Sequence, residues 1–126
     1  MIGELTSKIK LHNRPMSVNE ALRSARLVRK DFEVPLVIRG NGPLLVGRDD
    51  RLVTLVINDP FISRTHAAIV QEDEQFFLQD LYSKNGTYLN GERLSPGAKS
   101  DRPLQDGDRV RFNHVEFQFK IPEESV

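Results

Sequence analysis

Cysteine is absent from all 126 residues, which removes disulfide frameworks, thiolate nucleophiles and thiolate metal sites together. Net charge is lacking as well. Eighteen basic and eighteen acidic residues cancel, leaving the chain as a whole without the electrostatic footprint of a nucleic-acid or anionic-membrane binder. No run approaches the roughly 20 apolar residues that span a bilayer, and the opening MIGELTSKIKLHNRP lacks the apolar centre of a secretory signal. Internal repeats and low-complexity segments are missing too. These absences predict a soluble, cytoplasmic domain that stands on packing alone, needs no cofactor, and captures any anion locally.

What is present is a chain with 38% hydrophobic residues, enough for one domain burying roughly two-thirds of its unfolded surface. From Leu36 onward the pattern is one of short strands between turn signals. PLVIRG and PLLVG are separated by Gly40-Asn41-Gly42-Pro43, RLVTLVI ends at Asn58-Asp59-Pro60, and HAAIV and QFFLQDL flank Gln71 to Glu74. Near the end, Val115, Phe117, Phe119 and Ile121 alternate with Glu116, Gln118 and Lys120, the period of a half-buried strand, with DRVRF as its expected partner. Short strands with no helix between them predict an all-β, antiparallel β-sandwich. Residues 1–35 differ: Ser17 and Glu20 form a capping box, and Val18, Ala21, Leu22, Ala25 and Val28 follow at helical spacing. The expected organisation is an N-terminal arm with one short helix over 1–35, a sandwich over 36–121, and a tail over 122–126. The helix reads as packed on the sandwich or as a docking or dimerisation element.

Several chemistries are tested and set aside. Ser63, His66 and Asp80 are residue types of a nucleophile, base and orienting acid, but no G-x-S-x-G elbow presents the hydroxyl. His12, His66 and His114 lack zinc-ligand spacing, and DLYSKNG places Tyr82 and Lys84 where a calcium loop needs oxygens. RGNGPLLVGR precedes no helix and carries no Lys-Ser/Thr, so it is a poor nucleotide-phosphate loop. No catalytic or metal site is expected. What remains are loop residues: Gly47-Arg48, Ser63-Arg64 and Lys84-Asn85. Guanidinium forks, a hydroxyl and an ammonium suit a phosphate, while the Asn amide offers both donor and acceptor to a peptide backbone.

The stretch YSKNGTYLNG adds a puzzle, because it holds Asn-Gly twice, at Asn85-Gly86 and Asn90-Gly91, and two tight hairpin tips do not fit five residues apart. In order, Gly47-Arg48, then Ser63-Arg64-Thr65-His66, then DLYSKNGTYLNG, then Asp106-Gly107-Asp108 resemble the successive sequence blocks of the forkhead-associated (FHA) domain, over about residues 36–120. The resemblance implies a sandwich of roughly eleven strands that binds phosphothreonine peptides through loops at one end. On that resemblance Arg48 and Ser63 contact the phosphate, Arg64 supports the phosphate or an adjacent peptide position, Lys84 lines the pocket, and Asn85 holds the peptide backbone. Gly47, His66, Gly86 and Thr87 are its structural support. Asn90-Gly91 is then the hairpin tip and Asn85-Gly86 a binding loop. Asn113 stands where the family usually has Gly, a departure expected to affect only the hairpin tip. Thr6, with Ile9 three residues later, is a candidate for binding, once phosphorylated, to its own domain or to a neighbour's. The competing reading is a structural or oligomerisation sandwich with phosphate-independent contacts.

Overall fold

The structure is a computed structural model and describes residues 9–11, 25–30, 32–36 and 43–122. Twelve strands occur among them: β1 (Ile9–Leu11), β2 (Ala25–Arg29), β3 (Phe32–Leu36), β4 (Leu44–Gly47), β5 (Leu55–Ile57) and β6 (Ala67–Glu72), then β7 (Gln75–Asp80), β8 (Thr87–Leu89), β9 (Glu92–Arg93), β10 (Arg102–Leu104), β11 (Arg109–Phe112) and β12 (Val115–Lys120). They form two six-stranded sheets, ordered β1-β5-β4-β6-β7-β10 and β3-β2-β12-β11-β8-β9. The all-β sandwich read from the sequence is the fold observed. Pairing is antiparallel except between β4 and β5, which run parallel with Val46 opposite Leu55.

Alternation builds the core. In β12, Val115, Phe117 and Phe119 are buried while Glu116, Gln118 and Lys120 face out, and the partner strand is β11, as expected from DRVRF. Phe112 and Phe117 meet edge-on at 6.0 Å between ring centroids, and Phe119 packs against Phe76 at 5.6 Å. Deleting a buried ring of this kind costs about 3–5 kcal/mol. The alternation stops at Lys120, not at Ile121: Ile121 is exposed, and its N–H instead reaches Asp106 Oδ1 at 2.8 Å.

The helix expected from Ser17 onward needs correction where it can be seen. Its last turn, Ala25–Arg29, is strand β2, with Ala25 and Leu27 buried, between β12 and β3. Lys30 turns the chain in the left-handed region at φ 52°. ARLVR satisfies period 2 as well as period 3.6, and two flanking strands supply ladder bonds and a core face that local helix propensity cannot match. The capping box at Ser17 and Glu20 lies outside the described residues, as does Thr6. Three strands upstream of residue 36, β1 to β3, belong to the two sheets, so the arm-like composition of the N-terminal segment does not keep it apart from the sandwich.

Register fixes which loops meet. Val46 opposes Ala67, and Ala67 opposes Asp80, so the chain after β4, before β6 and after β7 emerges at one end of the first sheet. In the second sheet Thr87 opposes Phe112, which brings the β11–β12 tip to the chain entering β8. Four loops therefore share one end of the sandwich, although up to 66 positions separate their residues in sequence (48 to 114).

Candidate functional site

Arg48 begins the loop after β4. Its backbone N–H donates to the Ser63 carbonyl at 3.0 Å, and its Nε donates to the Ile62 carbonyl at 2.9 Å. The side chain is thus tethered through Nε while the two terminal nitrogens remain for a ligand, the fork geometry that suits a phosphate. Gly47 makes this approach possible: a Cβ there would lie 2.1 Å from the Arg64 carbonyl oxygen. Asp49 does not neutralise Arg48. Hydrogen bonds from the side chain and then the backbone N–H of Arg51 engage its carboxylate and hold its pKa at about 2.

Ser63 is presented by the loop between β5 and β6. Its Oγ accepts from the Lys84 backbone N–H at 3.1 Å, which leaves the hydroxyl proton free to donate outward. Asn85 crosses the same gap, its Nδ2 donating to the Phe61 carbonyl at 2.8 Å. One amide hydrogen and Oδ1 remain for a peptide backbone. Arg64 and Lys84 expose their side chains beside them. The loops carrying Arg48, Ser63, Arg64, Lys84 and Asn85 are therefore in direct contact.

His66 staples this arrangement from below. It is fully buried. The Ser63 backbone N–H donates to its Nδ1 at 3.1 Å, so the proton resides on Nε2, which donates to the Gly86 carbonyl at 2.9 Å. Burial pushes its pKa below the ordinary 6.5, opposed by the Gly86 hydrogen bond and the Asp80 charge. The neutral tautomer is the one that serves both loops. It also dissolves the hydrolase reading: the ring faces the Ser63 backbone, not its hydroxyl, and Asp80 turns elsewhere.

Asp80 is the hub of the loop after β7. Its Oδ1 accepts from the buried Thr87 Oγ1 at 2.7 Å and from Ser83 Oγ at 2.5 Å. Its Oδ2 accepts from the Ser83 N–H at 3.2 Å, and Ser83 Oγ in turn accepts from the Gly86 N–H at 3.0 Å. Tyr82 at φ 57° and Gly86 at φ 94° supply the left-handed steps that let this loop curl. Gly86 also lies under Arg93, whose Nε would be 2.8 Å from a Cβ there. Asn90-Gly91, at φ 51° and 86°, is the hairpin tip between β8 and β9. Of the two Asn-Gly pairs, Asn90-Gly91 is thus the hairpin tip, as expected, and Asn85-Gly86 lies in the loop before β8.

The sequence reading gave the Asn113 tip no part in the site, and the structure corrects this. The Asn113 N–H donates to the Gly86 carbonyl at 3.0 Å, the same oxygen that His66 uses. His114 Nε2 lies 3.0 Å from Oδ2 of the buried Asp59. Asp59 Oδ1 accepts from the Phe61 N–H at 2.9 Å, and its carbonyl accepts from the Ile62 N–H at 3.0 Å. The tip therefore braces both the loop between β5 and β6 and the chain entering β8. Asp59, Ser83, Asn113 and His114 were not singled out as site residues. For Ser83 a signal existed, since Asp80 with Ser three residues on is the spacing of a side-chain-closed turn. Among the described residues no group of acids and histidines could hold a metal ion, and no helix is long and apolar enough to cross a membrane.

Comparison with known proteins agrees with this geometry. Residues 44–113 match the family model of the FHA domain. The chain is 35% identical over 82 residues to Nibrin of Danio rerio, which covers 65% of this chain and 10% of that protein. Mycobacterium tuberculosis EmbR in complex with a low-affinity phosphopeptide superposes with a TM-score of 0.70 at 28% identity, over 82% of this chain and 26% of that one. The MEK1 FHA domain in complex with a HOP1 phosphothreonine peptide gives a TM-score of 0.67 at 30% identity, over 79% and 98%. The chain spans between 10% and 38% of the length of the first curated relatives it matches.

Proposed function

Because the chain belongs to the forkhead-associated domain family, we propose that it is a phosphothreonine-dependent peptide-binding module of intracellular signalling. In this reading it is a binder and not a catalyst. Arg48 and Ser63 hold the phosphate, Arg64 and Lys84 add charge at its rim, and Asn85 grips the peptide backbone. The observation that carries the reading is the contact set among the loops: Arg48 N–H to Ser63 carbonyl, Lys84 N–H to Ser63 Oγ, and Asn85 Nδ2 to Phe61 carbonyl. Phosphorylation gives threonine roughly −1.5 to −2 charge and three strong acceptors. Charge-assisted hydrogen bonds worth about 1.5–3 kcal/mol each then separate the modified from the unmodified side chain. The phosphopeptides bound by the EmbR and MEK1 domains support the same ligand class.

An oriented library of phosphothreonine and phosphoserine peptides tests the proposal, with Arg48→Ala as control. Selective capture of phosphothreonine peptides that the variant loses is the expected result. Capture unaffected by phosphatase treatment favours instead a sandwich with phosphate-independent contacts.

A second reading concerns Thr6. In the β1–β5 pair Ile9 opposes Ile57, the residue from which the Ser63 loop departs, so the chain enters β1 at the site end of the sandwich. Thr6 precedes β1 by three residues, and in this reading its phosphorylated form occupies its own domain's socket or a neighbour's. Loss of external phosphopeptide binding upon Thr6 phosphorylation is expected, and equal binding by both forms contradicts it.

A further inference from the structure

The chain carries no net charge, yet its arginines are not evenly spread. On the outer face of the second sheet, Arg93 of β9, Tyr88 of β8 and Arg111 of β11 stand in one cross-strand row, Tyr88 opposite both arginines. The Arg111 guanidinium lies over the Tyr88 ring, 3.9 Å from its centroid, with one nitrogen donating to the Asn113 carbonyl at 2.7 Å. Stacking of this kind fixes the guanidinium plane and leaves its remaining edge donors free for an anion. Arg109 extends the same face, two residues back along β11. Among the described residues no carboxylate pairs with Arg93, Arg109 or Arg111. Glu116, across the β11–β12 pair from Arg111, makes no ion pair with it, and Glu92 is taken by Arg102 at 2.6 Å.

The row is continuous with the candidate site. Arg93 crosses directly above Gly86, and the Tyr88 hydroxyl donates to the Asn85 carbonyl at 3.4 Å. Arg93 and Tyr88 thus adjoin the backbone of the Asn85-Gly86 loop. Strands stand roughly 4.8 Å apart, so the row from β9 to β11 spans about 10 Å, the length of three extended residues.

We infer that the Arg93–Tyr88–Arg111 row is a second contact surface for the same phosphorylated partner, selecting an acidic segment, of Asp or Glu side chains, that flanks the phosphothreonine. Charge complementarity and continuity with the socket assign the occupant. The inference rests on the binding-module reading above and deepens it by naming the chemistry of the flanking residues.

The test is fluorescence anisotropy with three labelled peptides sharing one phosphothreonine core selected from the library. One has neutral flanks, one has three Glu residues before the core, and one has three after it. Wild type, Arg93→Gln and Arg93→Gln/Arg111→Gln are compared. The single variant leaves the Asn113 brace intact. On one side the acidic flank tightens wild-type binding by about fivefold or more. That gain, taken in each protein relative to its own affinity for the neutral peptide, falls as salt rises from about 0.05 to about 0.5 M and is reduced in the single variant and lost in the double, while the neutral peptide binds wild type and the single variant alike. Equal affinity for acidic and neutral peptides overturns the inference, as does a gain that survives both variants. An equal gain for an unphosphorylated acidic peptide or a single-stranded oligonucleotide overturns it too, marking a general polyanion surface. Failure of wild type to bind the neutral phosphopeptide identifies a different failure, that of the binding-module reading, and removes the inference with it.

Discussion

Arg48 divides its donors between structure and ligand, Nε to the Ile62 carbonyl and two terminal nitrogens outward. Arg48→Ala should weaken phosphothreonine peptide binding at least ten- to a hundredfold, while changing stability by less than about 1 kcal/mol because the residue is exposed; calorimetric titration and a thermal melt check both. Gly47→Ala should cost stability as well. Its new Cβ would overlap the Arg64 carbonyl oxygen, and forcing that backbone aside costs about 1–3 kcal/mol, seen as a lower midpoint in urea. For His66 the sign follows from its lowered pKa: as pH falls below about 6.5 the unfolded chain takes up the proton first, so stability present above that value is lost. Ring resonances of His66 that titrate at lower pH in the folded protein than in the unfolded chain, with unfolding midpoints that decline as pH falls below the ordinary histidine range, are the expected result. Arg48, Ser63 and Asn85 were legible in the sequence because their chemistry is distinctive for phosphate and peptide backbone. Asp80 was considered only as an orienting acid, and Ser83 offered no more than its turn spacing from Asp80, since their role is to satisfy one another and the Gly86 N–H.

The elements show where local pattern misleads. Strands β8, β11 and β12 follow from alternation, because one face of each is buried, whereas β6, which buries Ala67, Ala68 and Ile69 in succession, and β7 follow from apolar runs between turn residues. ARLVR does not, because five residues carry both periods and only the long-range pairing of β2 with β12 decides between them. The parallel pairing of β4 with β5 is likewise a tertiary outcome, fixed by pairs such as the Thr54 N–H with the Leu45 carbonyl at 3.0 Å. The β11–β12 tip is the clearest case of a bracing contact hidden from the sequence: Asn113 looks like a substituted turn residue until its N–H is seen on the Gly86 carbonyl and its neighbour His114 on Asp59. His114→Leu should therefore weaken phosphopeptide binding by about fivefold without touching the ligand, through loosening of the Asp59 end of the Ser63 loop. His114→Gln, which can still donate to Asp59, should restore most of the loss. Titration calorimetry of the two variants separates this from a general loss of fold, which would lower the active fraction in both.

Across the whole molecule, two sheets are sewn together at one end by side chains that reach between loops of different origin. The His66 side chain joins the first sheet to the chain entering β8 of the second, and the Asn113 backbone N–H donates to the same carbonyl of Gly86 from within the second sheet. The proposed socket needs no net charge on the protein, because it draws on one tethered guanidinium and one hydroxyl carried by contacting loops. The most direct test is amide chemical-shift mapping with a phosphothreonine peptide and its unphosphorylated twin. The account predicts large shifts at Arg48, Ser63, Arg64, Lys84 and Asn85 for the phosphorylated peptide and none for its twin. Shifts scattered over the β1 or β10 edges, or alike for both peptides, would contradict it.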